Sequence, residues 1–171
     1  MATTFLHTLG TAGWSTVSGY IVAPFNLIGS TELSGLANGS TAISVNEGIS
    51  GAGIFNQVDF GQCQRGYIWL TVVTASWVVA PGANICGWWI HGANSTTLLE
   101  AQNATNSPAR APDFLIPLMT NTAIVGSTYF ANGIPSLPYD NCKVLIQNNN
   151  ASASLGAGNH TITVAPVGDQ Y

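Results

Sequence analysis

The chain has 171 residues, enough for one domain that buries about two-thirds of its extended-chain surface. Only 6% of its residues are Asp, Glu, Lys or Arg, against about 25% in ordinary globular domains, and its formal net charge is −4. Three basic residues, Arg65, Arg110 and Lys143, cannot build a phosphate-neutralising stripe, and an apolar share of 46% argues against disorder.

A polypeptide so poor in charge must clothe itself in Ser, Thr, Asn, Gln and Gly. Charge is what keeps diffusing proteins apart, so the composition suits a subunit held in an assembly or an extracellular particle. The start, MATTFLHTLGTAGWS, has neither a basic n-region nor a continuous apolar h-region, so synthesis in a cytoplasm without a secretion signal is expected. Its first residues, about 15, are expected as an arm on a single domain spanning 1–171.

Turn-forming clusters of Gly, Asn, Pro and Ser recur at short intervals, with β-branched and aromatic runs between them. This punctuation predicts an all-β, single-domain β-sandwich. Strands are predicted at residues 4–7, 19–27, 41–45, 53–60, 67–79, 85–91, 114–118, 143–148 and 160–165. Residues 95–103 could form a short helix. Two stretches, 101–112 and 126–141, are expected as long connections.

Residues 67–90, YIWLTVVTASWVVAPGANICGWWI, carry no charge at all. Val, Thr, Ile, Tyr and Trp suit a pleated sheet, and Pro81-Gly82-Ala83-Asn84 interrupts any helix, so two strands joined by a hairpin-like turn are predicted rather than a membrane span. Along the first strand Tyr67, Trp69, Val73 and Trp77 alternate with Ile68, Leu70, Val72 and Val78, so both faces are apolar. In the second, Trp88-Trp89 puts indoles on opposite sides. A loop, the N-terminal segment or another subunit must cover the second face. KVLIQNNNASASLGAGNHTITVAP at 143–166 also reads as a hairpin with a wide loop.

Candidates for chemistry are few. His7, His91 and His160 show no metal spacing, and the seven carboxylates are scattered singly. Gly10-Thr11-Ala12-Gly13 lacks the Lys of a phosphate loop, and no GxSxG elbow occurs, so no enzyme, cofactor or metal is expected. Cys63, Cys86 and Cys142 are expected as buried free thiols, with a Cys63–Cys142 or Cys86–Cys142 bridge left open. Asn-x-Ser/Thr sites at Asn38, Asn94, Asn103, Asn150 and Asn159 are expected to arise from composition alone. Trp14, Tyr20 and Tyr129 could stack on sugars, with core packing the simpler expectation. Arg110 and Asp113 flank a proline and form either a local ion pair or a contact between subunits. The candidate interface comprises Trp14, Trp69, Trp77, Trp88, Trp89, Arg110 and Asp113.

TELSGLANGS (31–40), CGWWIHGANSTTLLEA (86–101), ARAPDFLIPL (109–118) and the 143–166 segment, in that order, resemble small virion proteins of tailed bacteriophages. The family is that of head decoration, or cement, proteins. Gly92-Ala93-Asn94 stands where an Asp-Gly turn is the family expectation. The resemblance implies a jelly-roll-like sandwich on the outside of the capsid, made in the bacterial host. Its implied partners are the major capsid protein and its own copies, as a homotrimer, with neither nucleic acid nor membrane. Carbohydrate-binding modules and tail or fibre parts are the alternatives.

Overall fold

The computed structural model describes residues 8–9, 12–13, 20–21, 23–48, 51–73, 78–92, 106–119 and 127–168. In sequence order the elements are β1 (Thr8–Leu9), β2 (Ala12–Gly13), β3 (Tyr20–Ile21), β4 (Phe25–Ile28), the one-turn helix α1 (Ser30–Leu33) and β5 (Thr41–Ile43). They continue with β6 (Arg65–Val72), β7 (Asn84–His91), β8 (Phe114–Pro117), β9 (Ser127–Phe130), β10 (Cys142–Asn148) and β11 (Thr161–Gly168). The architecture is an all-β sandwich, as the turn punctuation predicts.

One sheet runs β5-β10-β7-β8 and the other β3-β11-β6-β9, with β4 also paired to β11; β1 and β2 form a separate ribbon. All pairings are antiparallel. From β4 onward the polypeptide pairs its first strand with its last, its second with its second-last, and so inward to β7 with β8. This is the ladder of one long hairpin. Rolling it up adds the pairings β11 with β6 and β10 with β7.

That topology corrects both predicted hairpins. β6 and β7 lie in different sheets, as do β10 and β11. The turn at Pro81 exists, with Ala83 N–H bonded to the Ala80 carbonyl at 3.1 Å and Gly82 at φ +75, but it leads the backbone across the sandwich. A turn sequence fixes a reversal, whereas which strand then pairs is decided by burial on the two facing sheets. The predicted strand at 53–60 is a turn-rich segment with one isolated bridge, Phe55 to Cys142, and β9 falls within a stretch expected as a connection. Residues 4–7 and 95–103 lie outside the described residues.

The core between the sheets is built from alternate residues. Ile68, Leu70 and Val72 of β6 meet Ile162 and Val164 of β11, and face Ile85 and Trp89 of β7 with Val144 and Ile146 of β10. Phe25, Phe55 and Phe60 stack at 5.8–6.1 Å between ring centres at one edge, and Trp89 meets Phe60 edge-on at 5.8 Å. Cys63, Cys86 and Cys142 are free and buried. Burial above all pushes the Cys142 thiol far up, which leaves it an inert core residue.

Gly87 sits opposite Phe114, and a Cβ there would lie inside the Phe114 ring. The ring in turn packs on Trp89 at 5.6 Å. Gly87→Ala is expected to cost about 1–3 kcal/mol through overpacking, lowering the urea midpoint with an unchanged m-value. A wild-type midpoint would show that Phe114 does not pack there.

Candidate functional site

Four of the seven candidate interface residues are engaged within the molecule. Trp88 and Trp89 are each 4% exposed, which removes both from the reach of an outside molecule. Trp89 fills the core and donates Nε1–H to the Ser136 carbonyl at 3.1 Å. Trp88 points the other way, into a second apolar cluster with Cys86, Ile90 and Leu145. Its Nε1–H bonds the Arg110 carbonyl at 3.1 Å. The second face of this strand is therefore closed by the protein itself.

Arg110 and Asp113 pair at 2.7 Å, and both also bind Trp89. The Asp113 carboxylate accepts the Trp89 backbone N–H at 2.8 Å, and the Arg110 guanidinium donates to the Trp89 carbonyl at 2.7 Å. β8 pairs with β7 only as far as Gly87, so these two residues prolong the ladder where the strand has ended. The local ion pair is the arrangement observed. Trp14 and Trp77 lie outside the described residues.

Trp69 is different. On β6, Arg65, Tyr67, Trp69 and Thr71 point away from the core, giving a strict alternation of exposure with buried partners. Tyr67 is 44% exposed, Val73 42% and Phe130 59%. Phe130 stands across from Trp69 on β9, with ring centres 6.0 Å apart and planes tilted by 41°. The same row continues through Thr163 on β11 to Asn26 on β4, whose amide oxygen accepts the Thr163 hydroxyl at 3.1 Å. A parallel row holds Thr161, Thr71 and Thr128. The result is a pleated aromatic face interleaved with hydroxyls, with Arg65 at its rim. Tyr67, Val73 and Phe130 thus expose apolar surface on one side of one sheet, rimmed by polar groups, the arrangement in which an exposed patch is read as a contact surface.

Sequence reasoning puts Trp69 among the interface candidates and Tyr67 on the same face, but leaves Phe130 within an expected connection, because β9 is not recognised as a strand. The Thr-Tyr-Phe run after Ser127 is the signal that would place it. Tyr129, named for sugar stacking, points inward and is 8% exposed. Of the Asn-x-Ser/Thr sites, Asn150 is fully buried and closed to glycosylation in the folded protein.

A cavity of about 400 Å³ opens at the β4 edge, lined by Phe25, Asn26, Glu47, Gly48 and Asp59. Asp59 accepts the Asn56 N–H at 2.8 Å, which fixes the following turn. Glu47 accepts the Asn46 N–H at 3.1 Å, while Glu32 accepts the Asn46 side-chain amide at 3.3 Å. Burial first, and the Glu32 carboxylate second, raise the Glu47 carboxyl above its ordinary 4.5. Among the described residues no group of three His, Cys, Asp or Glu residues is placed to hold a metal ion, and no helix is long and apolar enough to cross a membrane.

No protein-family model, curated protein or solved structure matches this sequence or fold.

Because the folded state holds the Glu47 proton more tightly than the unfolded state does, ionising Glu47 costs stability. That cost is absent well below pH 4.5 and present once pH has risen past the raised folded value. Glu47→Gln should therefore stabilise the protein at neutral pH by about 0.5 kcal/mol, discounted for the exposure of the pair, and by nothing in acid. Chemical denaturation of both proteins at the two pH values measures the difference; equal stability at neutral pH would contradict the upward shift of the Glu47 carboxyl, which burial leads and Glu32 adds to.

Proposed function

We propose that the protein is a structural component of a bacteriophage particle that decorates and stabilises the outside of the capsid shell, docking through the aromatic face of its five-stranded sheet. The observation that carries this is the face itself: Tyr67, Val73 and Phe130 exposed, with the half-buried Trp69 between them, in a sequence with 6% charged residues. Apolar surface withdrawn from water contributes about 25 cal/mol per Å² before association costs, and repeated contacts over symmetry-related copies add up. The partners are the major capsid protein and further copies of the same protein, as a homotrimer. The protein acts on the virion exterior after synthesis in the host cytoplasm, needs no cofactor, and catalyses no reaction.

The strand order supports a jelly roll. With β4 as strand 1, and β5 to β11 following, the sheets run 1-8-3-6 and 2-7-4-5, the order a rolled hairpin produces. Jelly rolls serve in viral capsids and in lectins alike, so the fold by itself decides nothing between them. The closed polar contacts of Arg110 and Asp113 leave the sheet face as the docking surface.

A second reading has its own observation. Thr71 and Thr128 lie beside the rings, and hydroxyls next to aromatic planes are what a neutral sugar needs. Phe130→Asp and Trp69→Ala separate the two. On the capsid reading each abolishes binding to shells stripped of the protein, by about 2 kcal/mol or more per contact, with the fold intact by circular dichroism. Unchanged shell binding by both variants, or saturable glycan-array binding lost in both, would replace the capsid reading.

A further inference from the structure

Two Asn-Gly pairs occur in the sequence, Asn38-Gly39 and Asn132-Gly133. Both asparagines are exposed. Their glycine N–H groups differ. Gly39 N–H donates to the Asn148 carbonyl at 2.7 Å, and Asn148 is itself fixed by its side-chain bond to the Leu36 carbonyl at 2.9 Å. Among the described residues no hydrogen bond occupies Gly133 N–H, whereas the space where a Cβ would stand is open at both glycines, so the hydrogen bond alone separates the two sites.

We propose that Asn132-Gly133 is a self-modifying site, converting without an enzyme to aspartate and isoaspartate, while Asn38-Gly39 is held inert by the fold. The Gly133 backbone nitrogen loses its proton to solvent base and attacks Cγ, the amide carbon of the Asn132 side group. A bond forms between that nitrogen and Cγ, the bond from Cγ to Nδ2 breaks, and Nδ2 leaves as ammonia. Water then opens the five-membered imide at either carbonyl, giving one new carboxylate. One water is consumed and one ammonia released, with no change of oxidation state. Occupying Gly39 N–H with the Asn148 carbonyl denies that nitrogen the same step.

The position gives the change a consequence. Phe130 faces Trp69 and Ser136 faces Arg65, so residues 131–135 form a loop opposite Tyr67 at the rim of the aromatic face. Conversion makes the net charge one unit more negative than −4 and puts that charge on a loop that has none of its own. Isoaspartate also adds a methylene to the backbone beside the bond from Asn132 N–H to the Leu115 carbonyl, 2.9 Å, which ties β9 to β8 across the sandwich. The effect on docking rests on the proposed function; the modification does not.

The test incubates the full-length protein at neutral and mildly alkaline pH and maps peptides by mass spectrometry, with isoaspartyl methyltransferase labelling. Conversion at Asn132 should exceed that at Asn38 by about tenfold, rise with pH, and vanish in Asn132→Gln. In denaturant the two sites should converge, since the protection of Asn38 is lost. Equal conversion in the folded protein, or an intact Asn132, overturns the assignment. Aged protein and Asn132→Asp should bind stripped shells several-fold more weakly than fresh protein. Equal binding overturns the consequence alone, whereas fresh protein that binds no shell overturns the proposed function and leaves the peptide map to judge the site.

Discussion

The ladder between β11 and β6 is the contact on which the rest of the sandwich depends. Its seven residue pairs, Thr161–Thr71 through Val167–Arg65, join β4 and β3 on one side to β6 and β9 on the other. The β10–β7 ladder plays the same part in the facing sheet. In both, the strands come from opposite parts of the sequence, so the entropy of closing a long loop opposes their meeting before any burial rewards it. Neither sheet can be completed until the last quarter of the polypeptide is present. The apolar sides of all four strands form one cluster, in which Ile68, Leu70, Ile162 and Val164 are covered by Trp89, Val144 and Ile146 of the facing sheet.

Crossing between sheets leaves backbone groups without ladder partners, and a protein with so few ions satisfies them with neutral side chains. Ser44 accepts the Val144 N–H at 3.0 Å and donates to the Gly53 carbonyl at 2.5 Å. Asn150, fully buried, accepts the Ala80 N–H at 2.9 Å and donates to the Val78 carbonyl at 2.8 Å, holding both ends of the break before the Pro81 turn. His160 takes the Val73 N–H on Nδ1 at 3.2 Å and meets the Gly156 carbonyl with Nε2 at 2.7 Å. Those two contacts assign the neutral Nε2–H tautomer, since Nδ1 must be bare to accept. Each of these residues prevents the penalty of about 1–3 kcal/mol that an unpaired buried group carries.

These roles explain what is legible in the sequence and what is not. Strand composition and alternation are local, and β5, β7, β8, β10 and β11 stand within a few residues of their predicted places, while β6 begins two residues before its predicted start and ends at Val72 instead of residue 79. Sheet membership is not local. Pro81–Asn84 looks the same whether it joins neighbours in one sheet or leads the backbone over the core, so sound turn chemistry still yields the wrong partner for both predicted hairpins. The same limit applies to Trp88-Trp89: alternation says the indoles point opposite ways, but not that the Arg110 segment closes over one of them. Arg110 and Asp113 stand out in the sequence as rare charges. Their work, extending β8 through side groups alone, depends on β8 stopping opposite Gly87.

The two outer faces of the sandwich are thus unequal although the sequence makes them alike. Both β6 and β7 are apolar on both sides. On β7 the outward residues Cys86, Trp88 and Ile90 are covered within the molecule, together with Leu145. On β6 the outward Tyr67 and Trp69 remain open to solvent to different degrees, and Phe130 is more exposed still. Charged residues on that face would prevent self-association, yet Arg65 at the rim is the one ion on the β6 row. Hydroxyls from Thr71, Thr128 and Thr161 keep the face wetted without repelling a partner. Contact through such a surface draws its free energy from burial rather than from ion pairing, so salt has almost nothing there to screen. That property follows from the same shortage of charge that forces asparagine, serine and histidine into the structural positions inside.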